Sequence, residues 1–219
     1  MSTSEQWPGI GQGSSEIEEP VHEVYEDDEQ TGDEEPAVEL EEGEEPLQLI
    51  TAHGPGALVL PDDVELIDAE PRGTSRGVGI VVARFNGDVT NKLLESALAE
   101  LDRLGVTRDT VTVMAVPGAF ELPVGAMALA KTRRFACIVA LGCVIRGETS
   151  HFDYVAGEAA SGLQLASLET GVPVSFGVLT TESLEQALAR VDKGAEAVRT
   201  ALEMADVFTQ LRATAQAAR

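Results

Sequence analysis

The chain has 219 residues and a formal net charge of −23, enough length for one domain with a sizeable core plus an additional segment. It has no basic surplus in any region, no apolar run long enough to span a bilayer, and no basic-then-apolar start. Nucleic-acid binding, membrane insertion and a secretory leader are therefore not expected.

The charge is unevenly placed. Residues 1–76 hold 22 Asp and Glu against two Arg, whereas residues 77–219 hold 16 acidic and 13 basic residues. The acidity belongs to the N-terminal third. Residues 14–46, SSEIEEPVHEVYEDDEQTGDEEPAVELEEGEEP, combine dense like charge, several prolines and one aromatic. Such a stretch cannot bury enough apolar surface to offset its ordering entropy, so a disordered acidic extension is expected over residues 1–60. It lacks the Asp spacing and central Gly of an EF-hand loop, which argues against calcium binding. In residues 47–70 the short apolar runs LQLI, ALVL and VELI are broken by Gly and Pro. They predict short strands or an arm lying on a domain. EPRGTSRG reads as a linker, so residues 61–76 form an arm and linker and residues 77–219 the folded domain.

From Gly77 a strand–helix alternation begins. VGIVVA is a continuous apolar run, the pattern of a buried parallel strand. DVTNKLLESALAELDRLG has helical spacing, with Leu93, Leu94, Ala97, Leu98, Leu101 and Leu104 on one face and Gly105 as its stop. VTVMAV is the second strand and ELPVGAMALAKT the second helix. ACIVALGCVI is the third strand, and FDYVAGEAASGLQLASLET is the third helix, stopped by Gly171. PVSFGVL is the fourth strand, followed by helices over SLEQALARV and AEAVRTALEMADVFTQLRA. Ser183 and Gln186 have the spacing of a capping box. This order predicts an α/β fold: a four-stranded parallel sheet with right-handed crossovers and helices on both faces. Cys137 and Cys143 are six residues apart in one strand, so they share a face and cannot bridge within it. They read as buried thiols of a reducing compartment. No CxxC or Cys/His metal pattern occurs.

In such a sheet, ligands bind beyond the carboxyl ends of the strands. Those ends carry ARFNGD, VPGAFE, VIRGETSH and GVLTTES. Phe85, Phe120 and nearby Phe176 could stack on a flat ring, or could simply plug the sheet edge. His151, one of three histidines, falls at the start of the third helix. The positive helix end disfavours an imidazolium, leaving a histidine able to take or give a proton. The same end suits a phosphate, with Gly147 permitting close approach and Thr149 and Ser150 offering hydroxyls. A capping loop with an incidental surface histidine has the same residue types. Neither a P-loop nor a GxGxxG turn is present. Cys143 lies in an apolar run, and Ser150 and His151 are adjacent, so nucleophilic catalysis has little support.

RFN, VPGAFELP, ALGCVIRGETSHFDYVA, SLETGVPVSFGVLTTESLEQALAR and KGAEAVRTALEM together match, in order and spacing, the pattern of the lumazine synthase family. The resemblance covers residues 77–208. It implies a flavodoxin-like fold, pentamers that in many members build a hollow shell of sixty subunits, and pockets between neighbouring subunits. It also implies the penultimate step of riboflavin biosynthesis: condensation of 5-amino-6-(D-ribitylamino)uracil with 3,4-dihydroxy-2-butanone 4-phosphate, through a Schiff base, in the cytoplasm, with no metal or organic cofactor. By the resemblance, His151 is the proton-transferring residue and Phe85 stacks on the pyrimidine. Ala119, Phe120 and Glu121 line the ribityl side. The strand end at Cys143, Val144 and Ile145 binds the uracil through its backbone. Glu148 and Thr149 form the phosphate loop. Phe176 and Arg190 are supplied by the adjacent subunit, Arg190 to the phosphate.

Two features depart from the family pattern. Only Val191 and Asp192 separate Arg190 from Lys193, about five residues fewer than the family carries there. The family also has no acidic extension of this kind, while VELIDAE stands where an N-terminal strand pairs with a neighbour. An enzyme is thus expected. The rival readings are a shell-forming scaffold whose acidic arms mediate interactions, and a flavin or lumazine binder without turnover.

Overall fold

The computed structural model describes residues 58, 60, 61, 63–73 and 76–217. The expected disordered segment lies outside the described residues, apart from its last few positions. Four strands, β1 (Val78–Ala83), β2 (Val111–Val116), β3 (Cys137–Ile145) and β4 (Val174–Thr181), form one parallel sheet in the order β2-β1-β3-β4. The helices are α1 (Gly87–Arg103), α2 (Leu122–Lys131), α3 (His151–Thr170), α4 (Leu184–Leu188) and α5 (Lys193–Ala217).

The apolar runs form strands because the sheet is buried on both faces. Every residue of β1 is buried, and eight of the nine in β3. Alternate residues face opposite layers. Val81, Ala83, Ile138, Ala140 and Val144 pack with residues of α2 and α3. Val78, Ile80, Val82, Cys137, Val139 and Leu141 pack with residues of α1 and α5. A fully buried Ile or Leu in such a layer contributes about 1.5–3 kcal/mol. Cys137 and Cys143 do share a face, and both are free and buried.

The chain winds outward from β1 to β2, then crosses back over β1 to β3. That reversal puts α1 on one face and α2 and α3 on the other, as right-handed crossovers require. It also opens a crevice between the ends of β1 and β3. β1 pairs with β3 only as far as Val82 and Leu141, so β3 runs four residues past its last partner on that side.

Helix ends follow the sequence signals. Gly105 and Gly171 take positive φ of 80 and 64, the left-handed geometry that stops α1 and α3. Ser183 Oγ accepts from the Gln186 amide at 3.2 Å. The return bond differs from a full capping box: Gln186 Oε1 accepts from the backbone of Glu182, at 3.1 Å, rather than from Ser183. Two boundaries also differ. β4 runs on to Thr181, paired with Ile145, and α4 has only five residues. The short link lets backbone bonds from Arg190, Lys193 and Gly194 continue directly into α5.

Residues 63–70 form no strand. Residues 47–57, 59 and 62 of the segment expected as short strands or an arm lie outside the described residues. Gln210 Nε2 donates to the Asp68 carbonyl at 2.9 Å, and the Arg72 amide to Asp206 Oδ2 at 2.8 Å. The linker is docked as well: Arg76 pairs with Asp206, and the Gly73 amide donates to Leu104.

Candidate active site

At the β1–β3 crevice lies a cavity of about 570 Å³. Its wall comes from the corners after β1, β2 and β3 and from the first turn of α3. Of the residues singled out from sequence, Phe85, Ala119, Phe120, Glu121, Cys143, Val144, Ile145, Thr149 and His151 all line it. A second cavity, of about 600 Å³, lies between residues 68–76 and α5. It has no aromatic or histidine in its wall, and its central charges are satisfied by the Arg76–Asp206 pair.

The corner after β1 continues the sheet pairing for two residues. The Arg84 amide donates to Val116 at 2.8 Å and the Phe85 amide to Pro117 at 3.0 Å. The chain then turns through Asn86, at φ 56 and ψ 47, a left-handed geometry that Asn tolerates better than most residues. Asn86 Nδ2 donates to the Cys143 carbonyl at 3.0 Å. Held at both ends, the corner presents the Phe85 ring, 69% exposed, at the cavity.

After β2, a single 3-10 turn over Ala119–Glu121 leads into α2. Glu121 Oε2 accepts from the Gly118 amide at 2.9 Å, so this carboxylate fixes its own loop. Ala119 is buried beneath the turn and Phe120 stands out at 55% exposure.

The end of β3 offers backbone. Even-numbered residues bond toward β4, as the Ile138 and Arg146 amides do. Odd-numbered residues therefore face the β1 side, where β1 has already ended. The N–H and C=O groups of Cys143 and Ile145 point toward the crevice, with the Cys143 carbonyl taken by Asn86. Val144 turns its backbone to β4 and reaches the cavity by its side chain. Burial pushes the Cys143 thiol up to about 11. It stays protonated near neutrality, and its place is in packing.

His151 is the first residue of α3 and exposed, its amide 3.4 Å from Thr149 Oγ1. The free N–H groups of this helix start lie beside the same loop. Glu148 is exposed between two lining residues and is not itself in the wall. Its carboxylate repels an anion, so a phosphate could meet this residue only through its backbone.

Two expected residues lie elsewhere on the chain. Phe176 does not join Phe85 and Phe120. It sits opposite Ala140, five residues before the end of β4, half-exposed at the sheet edge. Arg190 follows α4 and donates to the Gln186 carbonyl at 2.8 Å. Sequence reasoning missed Asn86, Phe152, Tyr154 and Val155 as wall residues. Tyr154 and Val155 could have been found by their i+3 and i+4 spacing from His151, and Asn86 by its place at a strand-to-helix corner. Among the described residues, no group of three or more His, Cys, Asp or Glu is placed to hold a metal ion.

The sequence model of the 6,7-dimethyl-8-ribityllumazine synthase family matches residues 75–209. The chain is 52% identical over 141 residues to the 6,7-dimethyl-8-ribityllumazine synthases of Yersinia pestis (strain Pestoides F) and Yersinia pseudotuberculosis serotype O:1b (strain IP 31758). Each alignment covers 62% of this chain and 90% of the relative.

Proposed function

The chain belongs to the 6,7-dimethyl-8-ribityllumazine synthase family, and on that premise we propose how its residues carry out the reaction. It is a transferase of riboflavin biosynthesis, condensing 5-amino-6-(D-ribitylamino)uracil with 3,4-dihydroxy-2-butanone 4-phosphate to give 6,7-dimethyl-8-ribityllumazine, phosphate and water. The scaffold and non-turnover readings have no observation in their favour.

In this proposal the pyrimidine lies against the Phe85 ring, and its polar edge meets the main-chain groups of Cys143 and Ile145 other than the Cys143 carbonyl, which Asn86 holds. The ribityl chain runs along Ala119, Phe120 and Glu121. The phosphate sits at the start of α3, against Thr149 and the backbone of Glu148. His151 then lies between the two substrates, placed to move the protons that imine formation and phosphate loss require. Holding both reactants in one crevice supplies most of the remaining advantage. The observation that carries this reading is the convergence of two aromatic rings, an open strand edge and a helix-start histidine from four separate segments on one cavity.

The family acts on small molecules and forms oligomers. The finer assembly proposed is a pentamer in which Phe176 and Arg190 complete the pocket of the next subunit. Three observations support it: both side chains are exposed away from the pocket of their own chain, Val64, Leu66 and Ile67 are exposed along an extended arm, and Leu165 and Leu168 are exposed on α3. Residues 1–60 are proposed as a separate acidic extension, 61–76 as the arm and 77–219 as the catalytic domain. A cytoplasmic location is proposed from the two free thiols. No helix among the described residues is long and apolar enough to cross a membrane.

The test is a turnover assay following lumazine absorbance, with a mass measurement of the assembly on the same sample. Absence of product from both substrates overturns the proposed site chemistry. A monomer that turns over overturns the shared pocket.

A further inference from the structure

Arg146 joins β3 to the loop before His151, and it is tied on every side. Its amide donates to the Thr181 carbonyl at 2.9 Å. Its guanidinium reaches two carboxylates on different elements, Glu182 at 3.0 Å and Asp153 at 3.1 Å. The same group lies over the Phe152 ring, 4.1 Å from its centre. Glu182 is in turn fixed by its amide bond to Gln186 at the start of α4.

The Arg146–Asp153 bridge closes a ring around residues 147–152. Inside that ring the other ties are few: the His151 amide to Thr149 Oγ1 at 3.4 Å, the Asp153 amide to the Ser150 carbonyl at 3.0 Å, and the packing of Phe152 on the core beneath α3. A Cβ built on Gly147 would meet nothing within 4 Å. Residues 147–151 are exposed and take their position from the two ends of the loop, the end of β3 and the Phe152–Asp153 start of α3, and Arg146 contacts both. Exposed ion pairs contribute little stability, so what this pair supplies is geometry. A direct role on the phosphate fits poorly, because two carboxylates around one guanidinium leave the spot negative.

We propose that Arg146, clasped to Asp153 and Glu182, is a positioning residue that sets His151 and the anion loop for the condensation. This rests on the reading of His151 and its loop given above. Asp153, two residues past the histidine, thereby serves the arginine and not the imidazole.

The test compares full-length wild type with Arg146→Gln, Arg146→Lys, Asp153→Asn, the Arg146→Gln/Asp153→Asn double variant and His151→Ala. Arg146→Gln and Asp153→Asn are each expected to lower kcat roughly 10- to 100-fold, the scale of a small misplacement. Thermal midpoint and assembly mass should stay unchanged. The double variant should be no slower than the slower single, since one clasp is broken either way. Arg146→Lys should recover only part of the rate, because an ammonium cannot lie flat on Phe152 and reach both carboxylates. Inorganic phosphate should bind more weakly to Arg146→Gln and Asp153→Asn alike. Wild-type turnover in Arg146→Gln, multiplied losses in the double variant, or tighter phosphate binding in Asp153→Asn would each overturn the clasp. Should Arg146→Gln fail to fold, Asp153→Asn carries the same test while keeping the guanidinium on its ring. A loss in His151→Ala with none in Arg146→Gln sinks the clasp alone. No loss in His151→Ala sinks the site reading beneath it.

Discussion

The side-chain amide of Asn86 donates to the main-chain carbonyl of Cys143 at 3.0 Å, tying the corner after β1 to the end of β3. This bond and the left-handed backbone of Asn86 together aim Phe85. Asn86→Ala removes the bond and strains the corner, at a cost on the order of 1–3 kcal/mol. Asn86→Gly relieves the strain but not the lost bond, so it should fall between wild type and alanine. Urea midpoints order the three proteins. Both variants should also raise KM for the uracil substrate, by letting the Phe85 ring drift.

His151→Ala is expected to lower the condensation rate by roughly 10- to 10⁴-fold, the range of positioned acid–base groups, with its lower end set by substrates that react once held together. Stability should not change, because His151 is exposed. Single-turnover rates beside a thermal melt check both halves. Unchanged turnover would remove this histidine from the mechanism.

Arg190→Ala should raise KM for the phosphorylated substrate more than KM for the uracil. A guanidinium holds a phosphate through two charge-assisted hydrogen bonds. In one chain this group caps its own helix at Gln186, and in the proposed assembly it meets the phosphate of the neighbouring pocket. Equal effects on the two constants would place Arg190 off the phosphate.

The thiols predict a pH dependence of stability. Burial raises Cys137 from 9.0 to about 12 and Cys143 from 9.0 to about 11. Above pH 9 the unfolded chain releases these protons while the folded chain keeps them. The folded state then binds more protons, so stability falls as pH rises. The loss begins near 9 and continues through the folded values. Urea midpoints from pH 7 to 10.5 should decline more steeply for wild type than for a Cys137→Ala/Cys143→Ala variant. Parallel slopes would refute the assignment.

The strands were legible because a doubly covered parallel sheet needs unbroken apolar runs, and VGIVVA and CIVALGCVI supply them. The helix stops at Gly105 and Gly171 were legible for an equally local reason, the left-handed geometry they adopt. Much of the pocket wall could also be read, since strand ends collect ligands in this topology. The remainder depends on contacts that cross the chain. Asn86 and Cys143 are far apart in sequence, as are Arg146 and Glu182, and no local pattern announces either pair. The extent of β4 depends on β3, whose Ile145 gives Thr181 a partner. The short α4 reflects a link that enters α5 directly, where Gly194 presses so closely on the Leu93 carbonyl that a Cβ would lie 2.1 Å from it.

In the proposed site, the strand end that outruns β1 leaves recognition to the main chain, and this bears on inhibitor design. Peptide N–H and C=O groups are common to every residue except proline, which lacks the donor. Replacing Cys143 or Ile145 by another small or branched residue changes packing and leaves the same donors and acceptors in place. A compound anchored there could not readily be escaped by point mutation at these positions, because a side-chain change leaves the contact groups where they are.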